Sequence, residues 1–279
     1  MGIASWRFYY RIADCVFAVE GIDSKLQNLA ENLYSAAQIH TGDPSTCFAL
    51  ERRQNLFILQ RDGVEICRTS SLATFFQEVE WALTETAMAS LGHFYQVHAG
   101  VVADDDRARL LIGPSDAGKT SLVLAFAVRG AAIFTDEVAL IDPDGLQVVP
   151  FRRDLIVHQG SQHLLPEAVK TANPAHFKNF GKYRYVSPLD IDCRELRDKT
   201  AVAQLVFPVL CPGSETILQP LGQAEAAKLI ILQSFNLERW GARGTDLTGQ
   251  LVETCPAVKV TFADARQAAA RLIDLEIQF

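Results

Sequence analysis

The sequence predicts an α/β protein, a layered α/β domain over residues 93–279 preceded by a smaller α+β module over 1–92. Three observations carry this expectation. From Gln96 onward, short apolar strand-like runs alternate with loops and helix-periodic runs, the pattern of sheet and helices in layers. Apolar residues make up 49 % and charged residues 21 % of the 279 positions, which is ordinary for a folded globular chain and excludes intrinsic disorder. A glycine-containing loop, Gly113 to Thr120, separates an apolar run from a helix-like one.

Composition narrows the function classes. With 26 Lys+Arg against 33 Asp+Glu the net charge is −7, so there is no electrostatic footprint for nucleic acid or anionic lipid. No apolar stretch reaches the roughly 18 residues of a membrane span. Met1 to Trp6 carry no charged segment leading into an apolar run, and no secretory signal is expected. The six cysteines, among them Cys193 and Cys211, are dispersed without a C-x-x-C pair. They read as small apolar residues in a reducing compartment, so zinc is not expected and the expected address is the cytoplasm.

In the first module, residues 6–20 are rich in aromatic and β-branched side chains and read as a strand. Ser24 is placed to cap a helix over 25–36, strands follow at 47–50 and 56–59, and Asp62–Gly63 is a turn. Leu72, Phe75, Phe76, Val79 and Leu83 fall at helical spacing behind Ser71, a second cap. In the larger domain, strands are expected at 96–102 and 110–112, then a helix over 121–129 stopped by Gly130. Asp104–Asp106 and Pro143–Gly145 read as turns. Further strands are expected at 131–135, 138–141, 148–157, 202–209, 216–218 and 258–262, with helices over 224–238 and 263–275.

Gly113-Pro114-Ser115-Asp116-Ala117-Gly118-Lys119-Thr120 matches G-x-x-x-x-G-K-[ST], with strand before and helix after. Glycines let the chain fold so that successive N–H groups converge on phosphate oxygens, and the start of the next helix adds its positive pole. In this reading Gly113 through Ser121 contact a nucleotide, Lys119 reaches the β- and γ-phosphates, and the Thr120 hydroxyl sits on Mg²⁺. Asp116 is out of place there. Two like charges about 4 Å apart repel by roughly 4 kcal/mol at an effective dielectric of about 20. Either its side chain points outward or nucleotide affinity falls.

Asp136-Glu137 follow Lys119 by seventeen and eighteen residues, placed so that a parallel strand ends with both acids near the phosphates. Phosphoryl transfer needs a carboxylate on the metal, and transfer to a hydroxyl gains from a base. Thr120, Asp136 and Glu137 are the candidate metal ligands. His98 lies on an apolar strand, where a histidine is commonly a hydrogen-bonded core residue. Arg152, Arg153, Lys182 and Arg184 are candidate cations for the transferred charge, and 160–180 reads as a polar, irregular substrate loop.

His98-Ala99-Gly100-Val101, the Gly113–Thr120 loop, Arg129-Gly130 and Thr135-Asp136-Glu137 together resemble the catalytic domain of HPr kinase/phosphorylase, and more closely its shorter bacterial relatives. The resemblance covers 96–157 well and the rest in general layout. It implies a P-loop kinase fold of the HPr kinase type, ATP and Mg²⁺ as cofactors, and transfer of phosphate to a serine hydroxyl of a partner. The acceptor it implies is a small protein or peptide, with Ser or Thr the expected residue. By position it makes Asp136 the base, with Glu137 and His98 in support and Lys119 on the phosphate. It also suggests assembly into homo-oligomers. Asp116 stands where the family has glycine, Glu137 where it has a second aspartate, and no Gly-Arg-Asn signature of the reverse reaction follows. A second reading is a nucleotide-binding regulator that holds ATP or ADP and transfers nothing; a third is acceptor-independent NTP hydrolysis.

Overall fold

The computed structural model describes residues 5–104, 107–172, 178–191 and 198–276. Cys193 and the last two aspartates of the 104–106 turn lie outside the described residues. The first sheet is built from β1 (Trp6–Ile12), β2 (Cys15–Gly21), β3 (Gln38–Ile39), β4 (Thr46–Arg53), β5 (Leu56–Arg61) and β6 (Val64–Thr69), in the order β3-β1-β2-β4-β5-β6. Residues 6–20 are therefore a hairpin and not one strand. Ala13 takes the left-handed conformation at φ 51°, so the chain reverses there without a glycine. Helix α1 (Ser24–Asn32) is capped by the carboxylate of Asp23, which accepts from the Lys25 and Leu26 amides, rather than by Ser24. Helix α2 (Leu72–Ser90) starts as expected, with the Ser71 hydroxyl accepting from the Thr74 amide, and packs on β5 and β6.

The second sheet takes β7 (Tyr95–Asp104), β8 (Arg107–Ile112), β9 (Ala132–Thr135), β10 (Val138–Asp142), β11 (Gln147–Val149), β15 (Thr200–Leu210), β16 (Ile217–Pro220) and β17 (Ala257–Phe262). Its order is β11-β10-β7-β8-β15-β17-β16, with β9 also on β7 and β11 bridging to β15. β8, β15 and β17 are parallel and the remaining pairs antiparallel. Between these, β12 (Leu155–His158), β13 (Asn179–Phe180) and β14 (Tyr183–Val186) form a third, small sheet. Pro150, which has no amide to donate, stands between β11 and β12 where the sequence suggests one continuous strand.

Helices close both faces of the second sheet. On one side lie α3 (Lys119–Ala127) and α9 (Ala265–Glu276), packed through Val123, Phe126, Phe262 and Leu272. On the other lie α6 (Gln223–Leu232) and α8 (Ala242–Thr254), packed through Ile230, Leu247 and Leu251. The single helix expected over 224–238 is α6 followed by the one-turn α7 (Leu237–Trp240). Helix α8 is unexpected because Gly244 and Gly249 lower its intrinsic propensity; burial of Leu247 and Leu251 overrides that. Two short helices, α4 (Glu167–Thr171) and α5 (Pro188–Ile191), flank the small sheet. The core of the first sheet continues into Val138, Leu140, Phe151 and Tyr185, so the two parts of the chain share an apolar interior. The protein is thus mixed α/β with several sheets, and no helix among the described residues is long and apolar enough to cross a membrane.

Strand β7 sets the geometry of everything that follows. β9 and β10 both run antiparallel to it, with Thr135 opposite Val101 and Val138 opposite His98. They form one strand interrupted by Asp136 and Glu137. On the other edge of β7, Ile112 at the end of β8 sits opposite Ala99, whose amide donates to the Glu137 carbonyl at 3.1 Å. The two acids and the start of the Gly113 loop thus lie level, with β7 between them. β9 is not paired beside β8 as a parallel neighbour; it shares the direction of β8 only because both are antiparallel to β7.

Gly100 lets α3 approach β7. A Cβ there would stand 2.8 Å from the Val123 Cγ2 methyl. Gly100→Ala is expected to destabilise the fold by about 1–3 kcal/mol through overpacking. Denaturant unfolding checks this as a lower midpoint at unchanged slope, and an unchanged midpoint would contradict the close approach.

Candidate functional site

The loop from Gly113 to Thr120 leaves β8 and enters α3 through two residues in the left-handed region, Asp116 at φ 64° and Gly118 at φ 97°. Such alternation turns backbone amides toward one concavity. At Gly118 only glycine fits, since a Cβ would lie 2.7 Å from the Phe262 ring. The loop is pinned from outside by the Leu210 amide, which donates to the Ala117 carbonyl at 3.1 Å. Among the described residues no side chain caps the start of α3. Asp116 is exposed, and its carboxylate still contributes to the field at Lys119.

Lys119 is buried and bends back over the loop, its Nζ donating to the Gly113 carbonyl at 2.8 Å and the Pro114 carbonyl at 2.9 Å. Burial lowers its proton affinity, against the raising effect of the Glu137, Asp136 and Asp116 carboxylates. Thr120, in the first turn of α3, donates its hydroxyl to Asp136 Oδ2 at 3.2 Å. This bond joins the loop to the acidic pair. The Ser121 hydroxyl turns away and bonds Ser161 at 2.7 Å.

The two acids occupy opposite environments. Asp136 is 1 % exposed. Its Oδ2 also accepts from the Ile156 amide at 3.3 Å, while its buried Oδ1 has no hydrogen-bond partner among the described residues. Burial pushes its carboxyl above the usual range, helped by Glu137 and opposed by Arg153. The Glu137 side chain is 40 % exposed and reaches His98 Nε2 at 3.1 Å. Burial would raise Glu137 too, but His98, Arg153 and Lys119 outweigh it and hold this carboxyl below its ordinary value. His98 Nδ1 faces Gln233 Oε1 at 3.2 Å, and its backbone amide bonds the Gln233 carbonyl, so the ring is fixed at both ends.

Of the four candidate cations, the structure brings one to the acids. Arg153, 3 % exposed, donates to Glu80 Oε1 at 2.7 Å and lies 3.5 Å from Asp136 Oδ1 and 3.9 Å from Glu137 Oε2. Burial opposes its charge, and Glu80 and Asp136 more than compensate, so it stays protonated. Arg152 points into a separate cleft beside Arg11 and Lys199. Lys182 is exposed over the Tyr183 ring. Arg184 bonds the carbonyls of Val169, Lys170 and Ala172, closing the end of α4. The polar run at 160–180 holds a 3-10 turn and α4, and 173–177 lie outside the described residues.

Glu80 and Tyr34 belong to this cluster, and the motif pattern of the sequence does not point to either. The Tyr34 hydroxyl donates to Glu80 Oε1 at 2.7 Å, and Thr84 bonds the same oxygen at 3.1 Å. A signal for Glu80 exists: it is a charge in the apolar stripe of α2, four residues after Phe76 and three before Leu83. Oxygen ligands suit Mg²⁺, which binds through one or two carboxylates together with substrate phosphates. The orphaned, buried Asp136 Oδ1 and the neighbouring Thr120 hydroxyl fit that requirement. Among the described residues, no group of three or more His, Cys, Asp or Glu could cage a metal alone.

No protein-family model matches the chain, and a search of curated proteins finds no match. Among solved structures the chain is distantly similar to the HPr(Ser) kinase/phosphatase from Coxiella burnetii. That similarity has a TM-score of 0.34 and 12 % identity, over 66 % of this chain and 99 % of the other.

The raised proton affinity of Asp136 has a sign that can be checked without ligand. Its folded pKa lies above its unfolded one, so the linked stability is present below the unfolded pKa and is lost as pH rises through the folded value. Asp136→Asn is therefore expected to raise the unfolding temperature of the ligand-free protein near pH 7, with the difference shrinking as pH falls toward about 4. Thermal unfolding at the two pH values measures this; a lower midpoint at neutral pH would contradict it.

Proposed function

We propose that the protein is an ATP-dependent kinase that transfers the γ-phosphoryl group to a hydroxyl of a peptide or small protein. The observation that supports this most is the Thr120–Asp136 hydrogen bond, with Lys119 one residue away and buried on the same loop. A phosphate loop, a metal-side carboxylate and a lysine in that arrangement are the parts that phosphoryl transfer needs, since its catalysis is mostly positioning and charge neutralisation.

In this reading the Gly113–Thr120 loop and the first turn of α3 receive the phosphates, and Lys119 exchanges its two carbonyl partners for phosphate oxygens. Thr120 and Asp136, with Glu137 beside them, would hold Mg²⁺, which when bound would supply positive charge against the phosphates. The acceptor oxygen forms a bond to the γ-phosphorus, the bond to the β–γ bridging oxygen breaks, and ADP leaves. The hydroxyl proton passes to a carboxylate. Asp136 is the base that the family resemblance implies. Glu137 is the second candidate for the proton, because its side chain is the accessible one and His98 is seated against it.

Thermal unfolding with Mg²⁺·ATP tests the nucleotide half of the reading. Ligand at about 100 times its Kd stabilises by roughly 2.7 kcal/mol. The midpoint of the wild type is expected to rise and that of Lys119→Ala to stay unchanged. Phosphoryl transfer from labelled ATP tests the other half: Asp136→Asn is expected to abolish transfer while Glu137→Gln retains part of it. The reverse order assigns the proton to Glu137. Nucleotide stabilisation without transfer to any acceptor would leave the regulator reading in its place.

A further inference from the structure

Beside Glu137, a cleft of about 530 Å³ opens between α2 and residues 235–239. Glu137 and Arg153 form its floor, and its walls are largely apolar, with Met88, Val138 and Ile156 among them. The two lips carry large aromatic side chains in solvent, Trp81 at 63 % and Phe235 at 45 % exposure. Large aromatic side chains on both lips of a largely apolar cleft, with a carboxylate at its base, fit a ligand site.

The charges of the cleft are unevenly paired. Glu80 is taken by Arg153, Glu85 by Arg61 at 3.8 Å, and Glu137 by His98. Arg239, also on the lip, makes no ion pair among the described residues. Its guanidinium lies over Gly92, where a Cβ would stand 2.0 Å from Nη1, so the absence of a side chain at Gly92 makes room for it. The one cation of the cleft without a carboxylate partner among the described residues thus faces solvent beside apolar walls.

Resting on the kinase reading above, we infer that this cleft is the acceptor site. Its occupant is a peptide segment in which the hydroxyl-bearing residue has a bulky apolar neighbour and a nearby carboxylate. The hydroxyl meets Glu137 on the floor, the apolar side chain fills the wall against Trp81 and Phe235, and the carboxylate pairs with Arg239. Three different side-chain chemistries at three points of one open cleft are what consecutive residues of a peptide supply. The N-terminal module, through α2, then builds half of the substrate site of the second sheet.

The test is transfer from labelled Mg²⁺·ATP to a positional-scanning library of serine-centred peptides, with the nucleotide-induced thermal shift recorded on the same preparations. The wild type is expected to favour Leu or Phe beside the serine, and Asp or Glu at one further position, each by about tenfold over alanine. Arg239→Glu is expected to turn the acidic preference into a basic one, and Trp81→Ala to flatten the apolar preference. Both side chains are on the open lips of the cleft, so both variants are expected to keep the wild-type nucleotide shift. Unchanged selectivity in both variants would overturn the inference. So would a wild type that binds nucleotide and phosphorylates small hydroxy acids but none of the peptides. A wild type without any nucleotide shift would overturn the kinase reading itself, and with it the site.

Discussion

One buried guanidinium holds the candidate site together. Arg153 comes from the segment between β11 and β12, and it meets a carboxylate from α2 and both carboxylates from the interruption between β9 and β10. Removing such a charge from water is expensive, and it is tolerated only where partners of opposite sign are close and well oriented. These partners come from two separate stretches of the chain and Arg153 from a third, so the ion cluster forms only once α2 and the second sheet have packed together. Asp136, Glu137 and Glu80 surround Arg153, and the raised proton affinity of Asp136 reflects its burial, which Arg153 opposes and Glu137 reinforces.

The sheet explains how short-range geometry becomes a site. Among the described strands, β7 alone is bonded both to β8, which delivers the Gly113 loop, and to β9 and β10, which deliver the acids. Its register places Ile112, Ala99 and Glu137 in one row, and the absence of a side chain at Gly100 lowers α3 onto that row. Thr120 in the first turn of α3 then falls within 3.2 Å of Asp136. Each contact depends on the register of β7, because a slip of one residue would turn His98 to the opposite face.

Much of this architecture is legible in the amino-acid sequence alone. The Gly113–Thr120 loop, the stop at Gly130 and the helix behind Ser71 follow from local rules, since glycine conformation, capping and 3.6-residue periodicity are decided within a few residues. The hairpin at Ala13 is not legible, because a left-handed alanine carries no turn signature. Nor is α8, whose glycines argue against a helix that burial of Leu247 and Leu251 stabilises. At the site, His98, Lys119, Thr120, Asp136 and Glu137 can be named from motif spacing. Glu80 and Tyr34 cannot be linked to them, because a contact across 46 to 73 positions leaves only a misplaced charge in the α2 stripe as its trace.

The dependence on Arg153 is open to a direct measurement, a double-mutant cycle on folding stability with Arg153→Met, Glu80→Met and the pair. Leaving either charge buried without its partner is expected to cost about 3–5 kcal/mol, whereas removing both replaces an ion pair with apolar volume. The double variant is expected to be more stable than the sum of the single losses implies, by a coupling of roughly 1–3 kcal/mol. Losses that add to within about 0.5 kcal/mol would show that Glu80 and Arg153 act independently, and would contradict a site organised around a single buried guanidinium.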